Sequence, residues 1–124
     1  MKKTHLNKNE EKVMQILWKL DKVFLKEVVQ AFPEPKLPST TIASIIKKLE
    51  SLGLVNHKTY NKSHQYFPVL KEDKYKHVEL KNLLGNYFNS DIGEMVSFFM
   101  QKEKTNIEEL EKIFEEIKAN KNES

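Results

Sequence analysis

The stretch that most restricts how this chain can fold is residues 39–55, STTIASIIKKLESLGLV. At 100° per residue, Ile45, Ile46, Leu49 and Leu52 fall within about 80° of Ile42, forming one continuous apolar stripe. Thr40, Ser44, Lys47 and Ser51 lie opposite, flanked by Ala43 and Lys48. Ser39 is placed to act as the N-cap. Gly53 stands where a left-handed residue commonly ends a helix. One side of this helix must therefore meet a core. The other carries hydroxyls, a methyl and lysines, which suit the phosphate backbone and the base edges of a DNA major groove. An ordinary solvated face is also polar. Hydroxyl residues are mediocre helix formers, however, so propensity does not explain their gathering on one face.

What precedes this helix reads as two more. Asn7 and Glu10 have capping-box spacing and open a stripe of Val13, Ile16, Leu17 and Leu20, with Met14 and Trp18 on its flank. Trp18 is expected as a core residue rather than a ligand platform. Residues 1–5 read as a loose basic tip. Asp21 and Lys22 make a break before a short helix over residues 25–32, with Leu25, Val28, Val29 and Phe32 facing inward. Residues 33–38, PEPKLP, cannot be helical, because proline fixes φ and removes a donor.

Two strands are expected after the glycine, at residues 54–58 and 64–68, around a polar turn over 59–63. Three helices followed by a hairpin is the winged helix-turn-helix order, in which the third helix enters the major groove and the hairpin tip touches the flanking backbone. The expected DNA-facing set is Ser39, Thr40, Thr41, Ala43, Ser44, Lys47 and Lys48 on the helix. On the wing it is Lys58, Tyr60, Lys62, Ser63 and His64.

From residue 71 the pattern is helical only. A helix over 72–88 carries Tyr75, Val78, Leu80, Leu83, Leu84, Tyr87 and Phe88. A second, capped by Asn89 or Ser90, carries Ile92, Met95, Val96, Phe98, Phe99 and Met100. A third, opened by Thr105 and Glu108 as a capping box, carries Ile107, Leu110, Ile113, Phe114 and Ile117, and is expected to fray from Asn120. So small a unit buries only a modest fraction of its own surface. Either two copies interlock or these helices cover the wing domain within one chain. The dimer is the reading adopted, since a palindromic DNA site needs a two-fold partner. Leu83, Leu84, Tyr87, Phe88, Met95, Phe98, Phe99, Leu110, Ile113, Phe114 and Ile117 are its candidate contacts. The expected architecture is thus mainly α with a small β-hairpin wing: a winged-helix DNA-binding domain over 1–70 and a helical dimerisation domain over 71–124.

Charge supports this division. The net charge of +3 is unevenly spread: residues 1–70 hold 12 Lys against 6 acidic residues, whereas residues 71–124 hold 9 Lys against 12. A basic first part suggests a polyanion partner. The chain has no cysteine, which excludes disulfides, thiolate metal sites and thiol nucleophiles. His5, His57, His64 and His77 lack metal-ligand spacing, and there is no Gly-rich phosphate loop or nucleophile motif, so neither an enzyme nor a cofactor is expected. No apolar run approaches the roughly 18 residues of a membrane span. A cytoplasmic protein without membrane insertion is the expectation. A winged helix can also serve as a protein–protein adaptor, since fold alone does not fix function. An adaptor would need no hydroxyl and lysine face on the third helix.

These residues also carry a family resemblance. Residues 6–18, LNKNEEKVMQILW, resemble the opening LTxxExxVMxxLW of the penicillinase-repressor family (BlaI/MecI type). Residues 40–49, TTIASIIKKL, resemble its recognition helix TVxTLLxRL. Gly53, Leu54 and Val55 look like its KGLV, and Tyr66, Phe67 and Pro68 like its YxYxP wing strand. The resemblance implies a homodimeric transcriptional repressor that binds a palindromic operator ahead of resistance or efflux genes. It also implies a partner protease, in one branch signalled by a membrane sensor protease, that cuts the dimerisation region near residues 97–100. The chain departs from the pattern in three ways. The usual Asn-Phe scission pair is absent, Leu52 stands where a basic residue usually precedes the glycine, and the family's arginine sites are lysines.

Overall fold

The computed structural model describes residues 5–123, with side chains to residue 120. The basic tip expected at residues 1–5 lies outside them apart from His5, and Ser124 lies outside at the other end. The described chain divides into two compact units, Met1–Glu79 and Leu80–Ser124.

In the first unit, helix α1 is Lys8–Leu20. Its start is local chemistry: the Glu10 amide donates to Asn7 Oδ1 at 2.8 Å and the Asn7 amide donates to Glu10 Oε1 at 2.9 Å, the expected capping box. Asp21, at φ 70°, ends the helix. The chain then forms a two-residue strand, β1 (Val23–Phe24), and enters helix α2 (Leu25–Ala31). Strand β1 was not expected, because two residues carry no alternation to detect. The proline segment is non-helical as expected, and Lys36 Nζ donates to the carbonyls of Gln30 at 2.9 Å and Phe32 at 2.5 Å as the chain leaves α2.

Helix α3 is Ser39–Ser51. Its start corrects the expectation: Ser39 is the first helical residue, and Pro38 occupies the cap with no side-chain hydrogen bond. The Pro38 carbonyl accepts the amides of Thr41 at 3.0 Å and Ile42 at 3.1 Å, so the backbone itself supplies the cap. The helix ends as expected. The Leu54 amide donates to the Leu49 carbonyl and the Gly53 amide to the Glu50 carbonyl, both at 3.0 Å. This is a Schellman pair, with Gly53 at the φ of +80° that glycine adopts without strain.

Strands β2 (Val55–Tyr60) and β3 (Ser63–Pro68) pair antiparallel, with Val55 opposite Pro68 and Tyr60 opposite Ser63. The ladder extends further than expected, so the five-residue turn shrinks to Asn61 and Lys62. Both have positive φ, 46° and 71°, the sense that matches the twist of a two-residue hairpin. Strand β1 adds to the free edge of β3, giving the sheet order β1-β3-β2.

The core of this unit draws Val13, Met14 and Leu17 from α1, Val28 from α2, Ile42, Ile46 and Leu49 from α3, and Val23 and Val55 from the sheet. Phe32 closes it below α2. Trp18 lies half-buried at its edge, with Nε1 donating to the Leu70 carbonyl at 2.8 Å and its ring centroid 5.4 Å from that of Tyr75. Tyr75 belongs to helix α4 (Glu72–Tyr87). It was expected within the apolar surface of the helical tail. Instead it is buried in the first unit, because its ring reaches Trp18 and its hydroxyl reaches Glu11.

The second unit holds the rest of α4, helix α5 (Ile92–Glu103) and helix α6 (Ile107–Glu123). Both caps fall one or two residues later than expected. Asn89 and Ser90 take left-handed φ of 50° and 60°, and Asp91 Oδ1 accepts the Glu94 amide at 3.2 Å. Asn106, not Thr105, opens α6, its Oδ1 accepting the Glu109 amide at 2.8 Å. Helix α6 continues past Asn120, where fraying was expected, to Glu123. None of the side chains of residues 80–120 is buried. The Phe98 ring lies 5.7 Å from that of Phe88, with the Lys102 ammonium 5.6 Å above it.

Candidate nucleic-acid interface

Helix α3 presents the two faces its periodicity demands. Ile42, Ile46 and Leu49 are fully buried, and the desolvation of those three side chains presses the helix onto the core. Ser39, Thr40, Thr41, Ser44, Lys47 and Lys48 are exposed on the outside, with Ala43 half-buried beside them. The Ser51 hydroxyl donates to the Lys48 carbonyl at 2.7 Å, which occupies it within the helix.

Two side chains near the end of α3 reach back into the fold. Lys48 Nζ stands 3.2 Å from Glu10 Oε2, and that glutamate side chain is 2% exposed while the lysine is 57% exposed. On the other side of the helix, Glu50 pairs with His57 Nδ1 on β2. Helix α3 is thus tied to both α1 and the wing. Neither tie was visible in the sequence. The Glu10 spacing gave its cap, but one carboxylate oxygen remained for a partner that only packing could supply.

The wing divides its expected residues between two faces. Side chains alternate along each strand, and directly opposed residues share a face. Lys58, Tyr60, Ser63 and Gln65 therefore lie on one side, and His57, Thr59, His64 and Tyr66 on the other. Lys58, Tyr60, Lys62, Ser63 and His64 are all exposed, but His64 is separated from Lys58 and Tyr60. Its ring centroid is 4.0 Å from that of His57, and its Nδ1 is 3.2 Å from Thr59 Oγ1. Burial, and then the neighbouring Glu50 charge, pushes the Tyr66 hydroxyl above the ordinary phenol range. Tyr66 on this face therefore stays neutral.

Among the described residues no cluster of histidine and carboxylate side chains is placed to hold a metal ion. No helix among them is long and apolar enough to cross a membrane.

Three helices, a small antiparallel sheet with a projecting hairpin, and an exposed hydroxyl and lysine face on the third helix define a winged-helix module. Comparison with known proteins makes this specific. The sequence profile described as penicillinase repressor matches residues 6–119, so the chain belongs to the penicillinase repressor family. Members of that family are regulators rather than enzymes. The chain is 26% identical over 118 residues to the penicillinase repressor of Bacillus licheniformis, covering 91% of this chain and 89% of that one. It is also 26% identical over 105 residues to the methicillin resistance regulatory protein MecI of Staphylococcus aureus strain N315, covering 84% and 85%. The solution structure of the DNA-binding domain of the repressor BlaI superposes with a TM-score of 0.53 at 26% identity, over 60% of this chain and 94% of that domain.

Proposed function

We propose that the chain is a DNA-binding transcriptional repressor that acts as a homodimer on a palindromic operator. The observation that carries the reading is the outer face of α3. Ser39, Thr40, Thr41, Ser44 and Lys47 are exposed together, while the opposite stripe of the same helix is fully buried. Hydroxyls and a methyl read base edges, and the ammonium of Lys47 reaches a base or phosphate. Lys58, Tyr60, Lys62 and Ser63 on the wing take the flanking backbone, with His64 beside them on the other face of the hairpin.

The homodimer rests on the second unit. Leu83, Tyr87, Phe98, Phe99, Ile113, Phe114 and Ile117 are each more than 40% exposed in the single chain. Leu84, Phe88, Met95 and Leu110 are half-buried beside them. So many large apolar side chains exposed on one small unit suit an interaction surface, and a second copy covers them while supplying the two-fold axis of a palindrome. The names of the relatives, a penicillinase repressor and a methicillin resistance regulatory protein, support regulation of a resistance operon. Release by a protease, under a membrane sensor, would act on the stretch from Ser97 to Met100 in α5, three of whose four side chains are exposed.

The test is binding of the full chain to the duplex upstream of its own gene against a scrambled duplex, at two salt concentrations, with mass measured in parallel. The reading expects a preference of about 10³ and two chains per site. Absence of preference together with a shallow salt dependence would instead support a protein–protein adaptor.

A further inference from the structure

We propose that Lys48, although it lies on the outer side of the recognition helix, is a positioning residue that sets sequence discrimination and not a DNA contact. The inference rests on the DNA-binding reading above. Glu10 is the link. Its Oε1 accepts the Asn7 amide at 2.9 Å, which fixes the carboxylate at the start of α1, and its Oε2 faces Lys48 Nζ at 3.2 Å. A carboxylate this deeply buried favours a neighbouring cation, and the pair draws the Lys48 ammonium toward α1.

The consequence is geometric. Ile42, Ile46 and Leu49, all fully buried, set which face of α3 meets the core. The pair between Lys48 and a carboxylate fixed on α1 adds a directional tie on the outer side of the helix, which trims the remaining play in its rotation. The rotation of α3 decides which of Thr40, Ser44 and Lys47 points at base edges. Lys47 and Lys48 are adjacent in sequence but 100° apart around the helix, and they divide the work. Lys47 is free to meet DNA, while Lys48 is held to Glu10 and keeps Lys47 aimed.

The experiment measures binding of the full chain to its upstream duplex and to a scrambled duplex across a salt series. Wild type, Lys48→Met, Lys48→Arg and the double variant Glu10→Gln with Lys48→Met are compared, each checked by thermal melting. Lys48→Met is expected to lose about tenfold in the ratio of native to scrambled affinity, the worth of one misaligned base contact. The slope of log K against log salt should stay unchanged, since no phosphate contact is lost. Lys48→Arg should restore the ratio. The double variant removes both charges of the pair and serves if the single change unfolds the chain; it should show the same loss at unchanged slope. A slope shallower by about 0.9 with the ratio intact would make Lys48 a phosphate contact and overturn the proposal. Wild-type binding by both Lys48→Met and the double variant would overturn it as well. A wild-type chain with no preference between the duplexes would overturn the DNA-binding reading itself, a result distinct from either.

Discussion

The Tyr75 hydroxyl donates to Glu11 Oε2 at 2.7 Å, joining the first turn of α4 to the first turn of α1. Burial first, then the hydrogen bonds to Glu11 and Glu79 and their charges, holds this hydroxyl far above the ordinary phenol range. The folded chain therefore keeps a proton that the unfolded chain releases near pH 10.0. Above that pH the unfolded state binds fewer protons than the folded one, so stability falls as pH rises. The contribution is complete below pH 10.0 and declines steadily above it. Tyr75→Phe should lose about 1.5 kcal/mol at neutral pH, the worth of a hydrogen bond to a charged acceptor. Its urea midpoint should also fall less between pH 9 and 11 than that of wild type. Parallel pH profiles for the two proteins would contradict the assignment.

Lys47→Ala should weaken operator binding by about 1–3 kcal/mol and relax preference at one base pair. Binding to a panel of single-base operator variants reads this directly. A loss uniform across the panel would move Lys47 from base reading to the phosphate backbone.

Lys62 occupies a turn position at φ 71°, a conformation that costs a side-chain-bearing residue about 1 kcal/mol and glycine nothing. Lys62→Gly should therefore stabilise the first unit by about that amount in denaturant titration. At the same time it should weaken DNA binding and reduce the salt slope by about 0.9. Stability and affinity moving in opposite directions is the expected signature of a residue retained for its charge.

Phe98→Glu should raise the dimer dissociation constant by at least about 30-fold, the effect of truncating an interface anchor worth about 2 kcal/mol, as read by sedimentation across a concentration series. Fluorescence from the sole tryptophan, Trp18, lies in the first unit and should be unchanged. An unaltered mass distribution would remove Phe98 from the interface.

Much of this protein is legible residue by residue. The apolar stripe of α3, the Asn7 and Glu10 box and the glycine stop at Gly53 all arise from interactions within four or five positions along the chain, and sequence spacing encodes these directly. The exposed hydroxyl and lysine face follows from the same periodicity. Where several local choices are nearly equal in energy, spacing alone does not select among them: Pro38 rather than Ser39 stands at one cap, and Asn106 rather than Thr105 at another.

What the tertiary structure alone decided are the long-range partners. Strand β1 exists because β3 offers an open edge, not because Val23 and Phe24 carry a pattern. Tyr75 joins the first unit because Trp18 and Glu11 are there to receive it. Lys48 reads as one more basic residue until packing brings α1 against α3 and sets the Glu10 carboxylate beside it. Local spacing thus determined the elements and their buried faces. Which charged groups of α3 are paired within the fold was settled only by assembly, because an ion pair depends on distance in space and not on separation along the chain.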